Sequence, residues 1–176
     1  MLLVNMICKC LNRSRIASTV LIGHLLWVTP LASCFADDRQ QSIYIDSNSL
    51  IKDQKQGTAI YEGDVLMQQG GLSIRGDRVT LYLKDGDVIQ ITAVGQPAIL
   101  EQTAKTPEQT EVEAHALTIV YRPQQQSIEL NEQAFLDQNG SVTKSNKIVY
   151  DIAAARVQAG GDNGHVNIVI QPREGE

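Results

Sequence analysis

The chain has 176 residues, 43% of them hydrophobic, 5% aromatic and 20% charged, and carries a formal net charge of -5. These values exclude a collagen-like or disordered chain and fit one compact domain. Beyond residue 36, 12 bases face 20 acids, a balance that argues against a nucleic-acid binder, which needs cations to displace phosphate counterions.

Residues 1–36 hold no acid, three bases (Lys9, Arg13, Arg15), the only Trp and all three Cys. They read as a secretory signal peptide: a basic start, an apolar stretch over 16–28, then the small-residue run Leu31-Ala32-Ser33-Cys34-Phe35-Ala36. The apolar stretch is short for a membrane span, which takes about 20 residues. Cleavage after Ala36 would put Cys34 and Ala36 at the two small-residue positions and leave a mature chain without cysteine. The run Leu31-Ala32-Ser33-Cys34 also resembles a bacterial lipobox, in which Cys34 would be lipidated. Export is expected on either reading.

From Asp37 onward apolar residues alternate with polar ones. Ile43 and Ile45 come first, then Tyr61, Val65 and Met67, then Leu72 and Ile74, then Val79, Leu81 and Leu83. Ile89 and Ile91 follow, then Leu117, Ile119 and Tyr121, Ile128 and Leu130, Ile148, Tyr150 and Ile152, and lastly Val166, Ile168 and Ile170. A period of two sends each set to one face of a sheet. Turn signals separate the sets: residues 53–57, 69–71, 84–87, Gly95-Gln96-Pro97, Arg122-Pro123, Asn139-Gly140 and 160–164. No stretch of ten residues carries a helical period, so the domain is all-β. A shift of 69 residues lays 65–83 on 134–152 without gaps, matching Gln69 with Gln138, Gly71 with Gly140, Arg75 with Lys144, Asp77 with Asn146 and Arg78 with Lys147. That order of strand, glycine turn and strand reads as one β-unit used twice. Periodicity alone fits both a dry sandwich core and a slightly open pair of sheets with an apolar trough.

Three motifs sharpen the reading: Tyr61-Glu62-Gly63-Asp64-Val65, Gln69-Gly70, and Ile74-Arg75-Gly76-Asp77-Arg78-Val79. Ile43-Tyr44-Ile45-Asp46-Ser47 precedes them, and Gly95-Gln96-Pro97-Ala98 and Glu113-Ala114-His115-Ala116 follow. In this order they resemble the OstA-like (LptA) family of lipopolysaccharide-transport proteins over essentially all of 43–170. The resemblance implies a single open β-jellyroll over 37–170, two facing antiparallel sheets with an apolar groove, followed by a short C-terminal tail at 171–176. It implies a periplasmic protein with acyl chains of lipopolysaccharide in the groove. It also implies end-to-end self-association, bridging an inner-membrane LptC-like protein to an outer-membrane LptD-like translocon. No cofactor, no metal and no hydrolytic step belong to such a role. A lipid-anchored envelope assembly adaptor with a closed β-sandwich and no cargo is the alternative.

The acyl-chain contacts expected are the inward apolar positions Ile43, Ile45, Tyr61, Val65, Met67, Ile74, Val79, Leu81, Ile91, Leu100, Leu117, Ile119, Tyr121, Leu130, Phe135 and Ile148. The resemblance singles out Ile43, Leu100 and Tyr121; the parity of Phe135 differs from that of Leu130, Ala134 and Leu136. The docking edges implied by an open jellyroll are 43–45 and 166–170, where strands could be added to a neighbour. Arg75, Arg78, Lys84, Lys144 and Lys147 are expected to be solvated or to balance nearby acids, as Asp77 would for Arg78. The two His beyond the leader, His115 and His165, are far apart with no Cys nearby, and neither a Gly-x-Ser-x-Gly nor a phosphate-binding loop occurs. The acids lie scattered, so an enzyme is not expected.

Overall fold

Short turns with left-handed backbone set the hairpins. Asp85 and Gly86 take φ of 54° and 94°, and Asn139 and Gly140 take 50° and 86°. Positive φ at both central residues matches the twist of the flanking strands. In the second turn the Gly140 amide also donates to Asp137 Oδ1 at 2.8 Å. The computed structural model describes residues 41–104, 110–161 and 165–170. The expected signal peptide, its cleavage point, Cys34, the turn at 162–164 and the tail at 171–176 lie outside the described residues.

Ten strands follow in chain order: β1 (Tyr44–Asp46), β2 (Ser49–Asp53), β3 (Thr58–Gln69), β4 (Leu72–Lys84), β5 (Asp87–Gln102), β6 (Val112–Arg122), β7 (Ser127–Gln138), β8 (Ser141–Asp151), β9 (Arg156–Gly160) and β10 (Asn167–Val169). All pairings are antiparallel. The sheet runs β1-β3-β4-β5-β6-β7-β8-β10, with β2 also on β3 and β9 also on β8.

The two facing layers are halves of this one sheet. Each long strand breaks its register near the middle, between Glu62 and Val65 on β3, Arg75 and Arg78 on β4, Val94 and Ala98 on β5, His115 and Thr118 on β6, and Asn131 and Ala134 on β7. These bulges form a fold line across the sheet. Gly63 and Asp64 on β3, like Glu132 and Gln133 on β7, have positive φ there, the local chain reversal that a bulge needs. The first layer comprises β1, the late halves of β3, β5 and β7, the early halves of β4, β6 and β8, and β10. The second comprises β2, the remaining halves and β9.

The bulges also preserve which residues face inward. Buried positions on β4 are 72 and 74 before the fold line but 79 and 81 after it; on β8 they are 143 and 145, then 148 and 150. One extra residue flips the parity just where the strand turns, so the aliphatic side stays inside both layers. Two extra residues on β3 and β7 leave parity unchanged, with 59 and 65 buried on one strand and 130 and 134 on the other. The inner side chains of both layers form a single hydrophobic cluster. Each fully buried aliphatic side chain in it contributes about 1.5–3 kcal/mol.

Two expectations need correction. Gly95-Gln96-Pro97 does not separate strands: it is the bulge inside β5, where Gln96-Pro97 is cis. β2 and β9 were not expected: Ser49–Asp53 lacks an alternating apolar set, and Arg156–Gly160 offers only Val157 and Ala159; each is an outer strand with one partner. The 69-residue repeat is reproduced in the pairing itself. Val65 pairs Gly76 and Met67 pairs Ile74, while Ala134 pairs Ser145 and Leu136 pairs Thr143.

Candidate lipid-binding face

The candidate site is the inner face, and the fold line decides which residues reach it. Val65, Met67, Ile74, Val79, Leu81, Ile91, Leu100, Ile119, Tyr121, Leu130 and Ile148 all lie in the buried cluster. Ile74 and Leu100 are 0% exposed and Tyr121 is 7% exposed. Ile43, Ile45 and Tyr61 are partly buried against the same cluster at the N-terminal edge. The inner face is therefore covered: its aliphatic side chains are buried against one another in a single cluster.

Leu117 and Phe135 do not join them. Leu117 sits at the β6 bulge, unpaired between His115 and Thr118, so a period of two counted from Ile119 and Tyr121 fails there. Phe135 lies between the fully buried Ala134 and Leu136 and points to the outer face. Its ring stacks on His115 with centroids 4.8 Å apart and planes 20° apart, and Lys144 Nζ lies 5.4 Å from its centroid. Leu117 and Phe135 line an outer cavity of about 640 Å³ with Val94, Pro97 and Asp77.

Several inner residues are not among the expected acyl-chain contacts. Leu72, Val112, Ile128, Leu136 and Tyr150 are buried, as are Ala93, Ala98, Ala114 and Ala116. Alternation with Ile74, Leu130 and Ile148 places Leu72, Ile128 and Tyr150 in the inward sets, and the structure buries them; it does not place Val112 and Leu136. The alanines carry too little apolar signal to stand out.

Toward the free ends of the first layer the inner face turns polar. Gln69, Gln102 and Gln138, the last residues of β3, β5 and β7, continue the inward parity of Met67, Leu100 and Leu136. Gln69 Nε2 donates to the Gln41 carbonyl at 3.0 Å, and Gln138 hydrogen-bonds Tyr150, which belongs to the second layer. Burial pushes the Tyr150 phenol above the ordinary tyrosine value, with the Gln138 hydrogen bond opposing it. Between the layers at this seam lies a cavity of about 420 Å³, lined by Gln41, Ile43, Gln69, Gly86, Asp87, Val88, Pro123 and Gln124.

The outer face is mostly ionic. Arg75 meets Glu101 at 3.3 Å, and Lys147 Nζ and Arg122 meet Glu129 at 2.6 and 3.3 Å. The hydrogen bond from Lys147 holds the Glu129 carboxyl below its ordinary value, outweighing the opposing effect of burial. Arg78 pairs with Glu62 at 2.6 Å rather than with Asp77: Glu62 is its direct cross-strand neighbour, whereas Asp77 lies in the bulge. Among the described residues no three His, Cys, Asp or Glu side chains converge as a metal site.

Comparison with known proteins agrees with this architecture. Residues 44–156 match the family described as LptA/(LptD N-terminal domain) LPS transport protein. The chain is 37% identical over 153 residues to the lipopolysaccharide export system protein LptH of Pseudomonas aeruginosa, covering 82% of this chain and 87% of that protein. It is 28% identical over 158 residues to the lipopolysaccharide export system protein LptA of Escherichia coli K12, covering 88% and 84%. The crystal structure of LptH, the LptA homologous periplasmic component of the conserved lipopolysaccharide transport device from Pseudomonas aeruginosa, superposes with a TM-score of 0.69 over 77% of this chain and 99% of that one. The folded sheet and the sequence match over most of the chain converge: this protein is a member of the LptA/LptD N-terminal family of lipopolysaccharide transport proteins.

Proposed function

We propose that this protein carries lipopolysaccharide through the periplasm as one element of a bridge from the inner to the outer membrane, acting without catalysis of its own. The observation that supports this reading best is the single apolar face shared by both layers. A multi-acyl lipid needs such a surface, because each methylene left in water costs about 0.8 kcal/mol. A folded sheet supplies it while satisfying its own backbone hydrogen bonds. Tyr121, Leu100 and Ile43 span the face from its centre to its edge and are the contacts we rank first; Leu117 and Phe135 drop out because they face outward. The family of lipopolysaccharide transport proteins to which the chain belongs supplies the cargo class.

The sheet edges support end-to-end assembly with copies of this chain and with similarly folded LptC-like and LptD-like partners. Each layer is eight strands wide, and neighbours alternate in direction. The N-terminal edge (β1 and β2) and the C-terminal edge (β9 and β10) consequently run in opposite directions. A translated second copy would continue the antiparallel ladder in both layers at once. Both edges are also apolar and exposed: Tyr44 is 71% exposed at one end and Ile170 74% at the other.

The test is co-isolation of lipopolysaccharide with the full chain from a Gram-negative host. Stoichiometric lipid is expected; protein recovered free of lipid at every concentration would overturn the carrier role. The competing reading is a cargo-free adaptor tethered through Cys34. Mass spectrometry of the native N-terminus separates the two, since the carrier predicts Asp37 as first residue and the tethered adaptor predicts an acylated Cys34.

A further inference from the structure

Ion pairs cover much of the outer face, but at the fold line its character changes. Each bulge leaves residues outside the register of the ladder, and four strands bring such residues together: Asp77 from β4, Gln96 and Pro97 from β5, Leu117 from β6 and Gln133 from β7. These residues line the outer cavity of about 640 Å³, inside the range of about 300–1,000 Å³ usual for small-ligand sites. The β5 wall is tight. A Cβ on Gly95 would lie 2.8 Å from the Ala98 nitrogen and 2.9 Å from the Pro97 carbonyl oxygen. The device that folds the sheet thus also builds a cavity on its outside, away from the buried cluster.

The lining is divided in character. Its apolar part is Val94, Pro97, Leu117 and Phe135, and Val94 is 41% exposed. Phe135 is the only phenylalanine beyond residue 36, yet it stands on the outer face. His115 is stacked on its ring and is itself held by Glu113, 2.7 Å from Nε2. Exposed apolar groups rimmed by polar ones mark interaction sites. The polar part has capacity to spare: among the described residues, the side chains of Asp77, Gln96, Thr118 and Gln133 have no hydrogen-bond or ion-pair partner. The nearby cations are engaged elsewhere, Arg75 with Glu101, Arg78 with Glu62 and Lys144 over the Phe135 ring.

This chemistry discriminates among ligands. Apart from His115, Asp77 is the one ionisable side chain of the lining, so phosphates and carboxylates are repelled. An organic cation would gain no more than about fivefold in affinity from an exposed pair with Asp77. A wholly apolar ligand would cover the carboxylate and the amides without replacing their hydrogen bonds to water. A neutral sugar replaces them, since a carboxylate and two primary amides offer paired acceptors and donors to adjacent hydroxyls. An acetamido substituent fits better still: its methyl suits Pro97, Leu117 and Phe135, and its N–H suits Asp77.

We propose that the outer cavity at the fold line binds an N-acetylhexosamine unit of a glycan. The site lies outside the acyl-chain surface and does not depend on the cargo. In the periplasm the abundant polymer of this chemistry is peptidoglycan, and binding there would hold the protein at the cell wall while its inner face stays free.

The experiment uses the full chain with its leader, so that the exported protein is purified. N,N′-diacetylchitobiose is titrated into isotope-labelled protein at millimolar concentrations, and backbone amide shifts are followed by NMR. Saturable shifts centred on residues 76–77, 94–98, 115–118 and 131–135 are expected; no saturable shift, or shifts centred elsewhere, would overturn the site. Cellobiose, which lacks the acetamido groups, should bind at least about fourfold more weakly, the factor for one buried methylene-sized group. Equal affinity for cellobiose would overturn the N-acetylhexosamine assignment. Asp77→Ala should weaken binding at least about tenfold and Gln133→Ala about two- to tenfold, the factors for charged and neutral hydrogen bonds. Unchanged affinity in Gln133→Ala would overturn the proposal even if Asp77→Ala failed to fold. Cosedimentation of wild type with insoluble peptidoglycan, lost in the variants, would assign the polymer as the source, whereas disaccharide binding without cosedimentation would assign free saccharides. Co-isolation of lipopolysaccharide should be the same in wild type and both variants, so failure of this site leaves the carrier reading standing.

Discussion

The hairpins β3–β4 and β7–β8 share one pairing register yet differ in what they place inside. Val65, Met67, Ile74, Val79 and Leu81 line the first; Ala134, Leu136, Thr143, Ile148 and Tyr150 occupy the equivalent places in the second. The first hairpin abuts the N-terminal edge, and its buried positions are apolar up to Gln69 at the rim. The second abuts the C-terminal edge, where Thr143 and Ser145 are buried polar residues and Ser145 Oγ donates to the Gly160 carbonyl at 3.2 Å. Register is thus held by turns and bulges, which tolerate wide variation in the side chains between them. Polarity then varies along the face without disturbing the frame.

Substitutions at equivalent positions should separate these two roles. The largest difference is expected at the pair Ile74 and Thr143. Ile74→Ala should cost about 2–5 kcal/mol in chemical denaturation, whereas Thr143→Ala should cost about 1.5 kcal/mol or less, the net range of a single hydrogen bond. Equal losses would mean that the second hairpin packs as tightly as the first.

Gly76 and Ser145 give the next contrast. A Cβ on Gly76 would lie 2.8 Å from the Val94 carbonyl oxygen, a backbone atom with little room to yield. Ser145 already carries a Cβ at the same point of the repeat. Gly76→Ser should therefore destabilise by about 1–3 kcal/mol although it copies the sister hairpin, and thermal denaturation would register it. A neutral result would show that the β5 bulge can shift aside.

A smaller effect concerns the cations Arg78 and Lys147, equivalent in the repeat but paired with non-equivalent acids. Glu129 has a folded pKa below its ordinary 4.5, chiefly through Lys147. Its contribution is present above the ordinary carboxylate value and is lost as pH falls through the lower folded value. The stability gap between wild type and Lys147→Met should therefore be greatest at neutral pH and shrink on acidification below about pH 4.5. A gap that widens in acid would contradict the assignment. Smallest of all, Arg78→Met should cost no more than about 1 kcal/mol, because its pair with Glu62 is solvent-exposed.

Much of this frame was legible in the amino-acid order. Strict alternation located the inner stripes of β3, β4 and β7, and Asp-Gly and Asn-Gly pairs located the tight turns. The repeat was visible through Gln69 and Gln138 and holds to the residue in the pairing. What alternation could not show was the fold line, because a bulge leaves no apolar signature. A period counted through Leu117 ran past the point where parity flips, and Gly95-Gln96-Pro97 read as a turn because the same residues serve either purpose. β2 was invisible for a related reason: as an edge with Leu50 and Ile51 more than half exposed, it does not alternate, while the alternation of β9 is only Val157 and Ala159, too short to mark a strand. The seam and its glutamine rim depend on how two distant strand ends meet, which no local pattern records.

The central claim is that cargo contacts the inner face and not the outer one. Adjacent residues of β6 test it directly, since Tyr121 points inward and Val120 outward. A photo-crosslinking amino acid is placed at each position in turn in the full chain, expressed in a Gram-negative host. The account predicts lipopolysaccharide adducts at position 121 and none at position 120. Equal labelling at the two positions, or labelling at 120 alone, would contradict it.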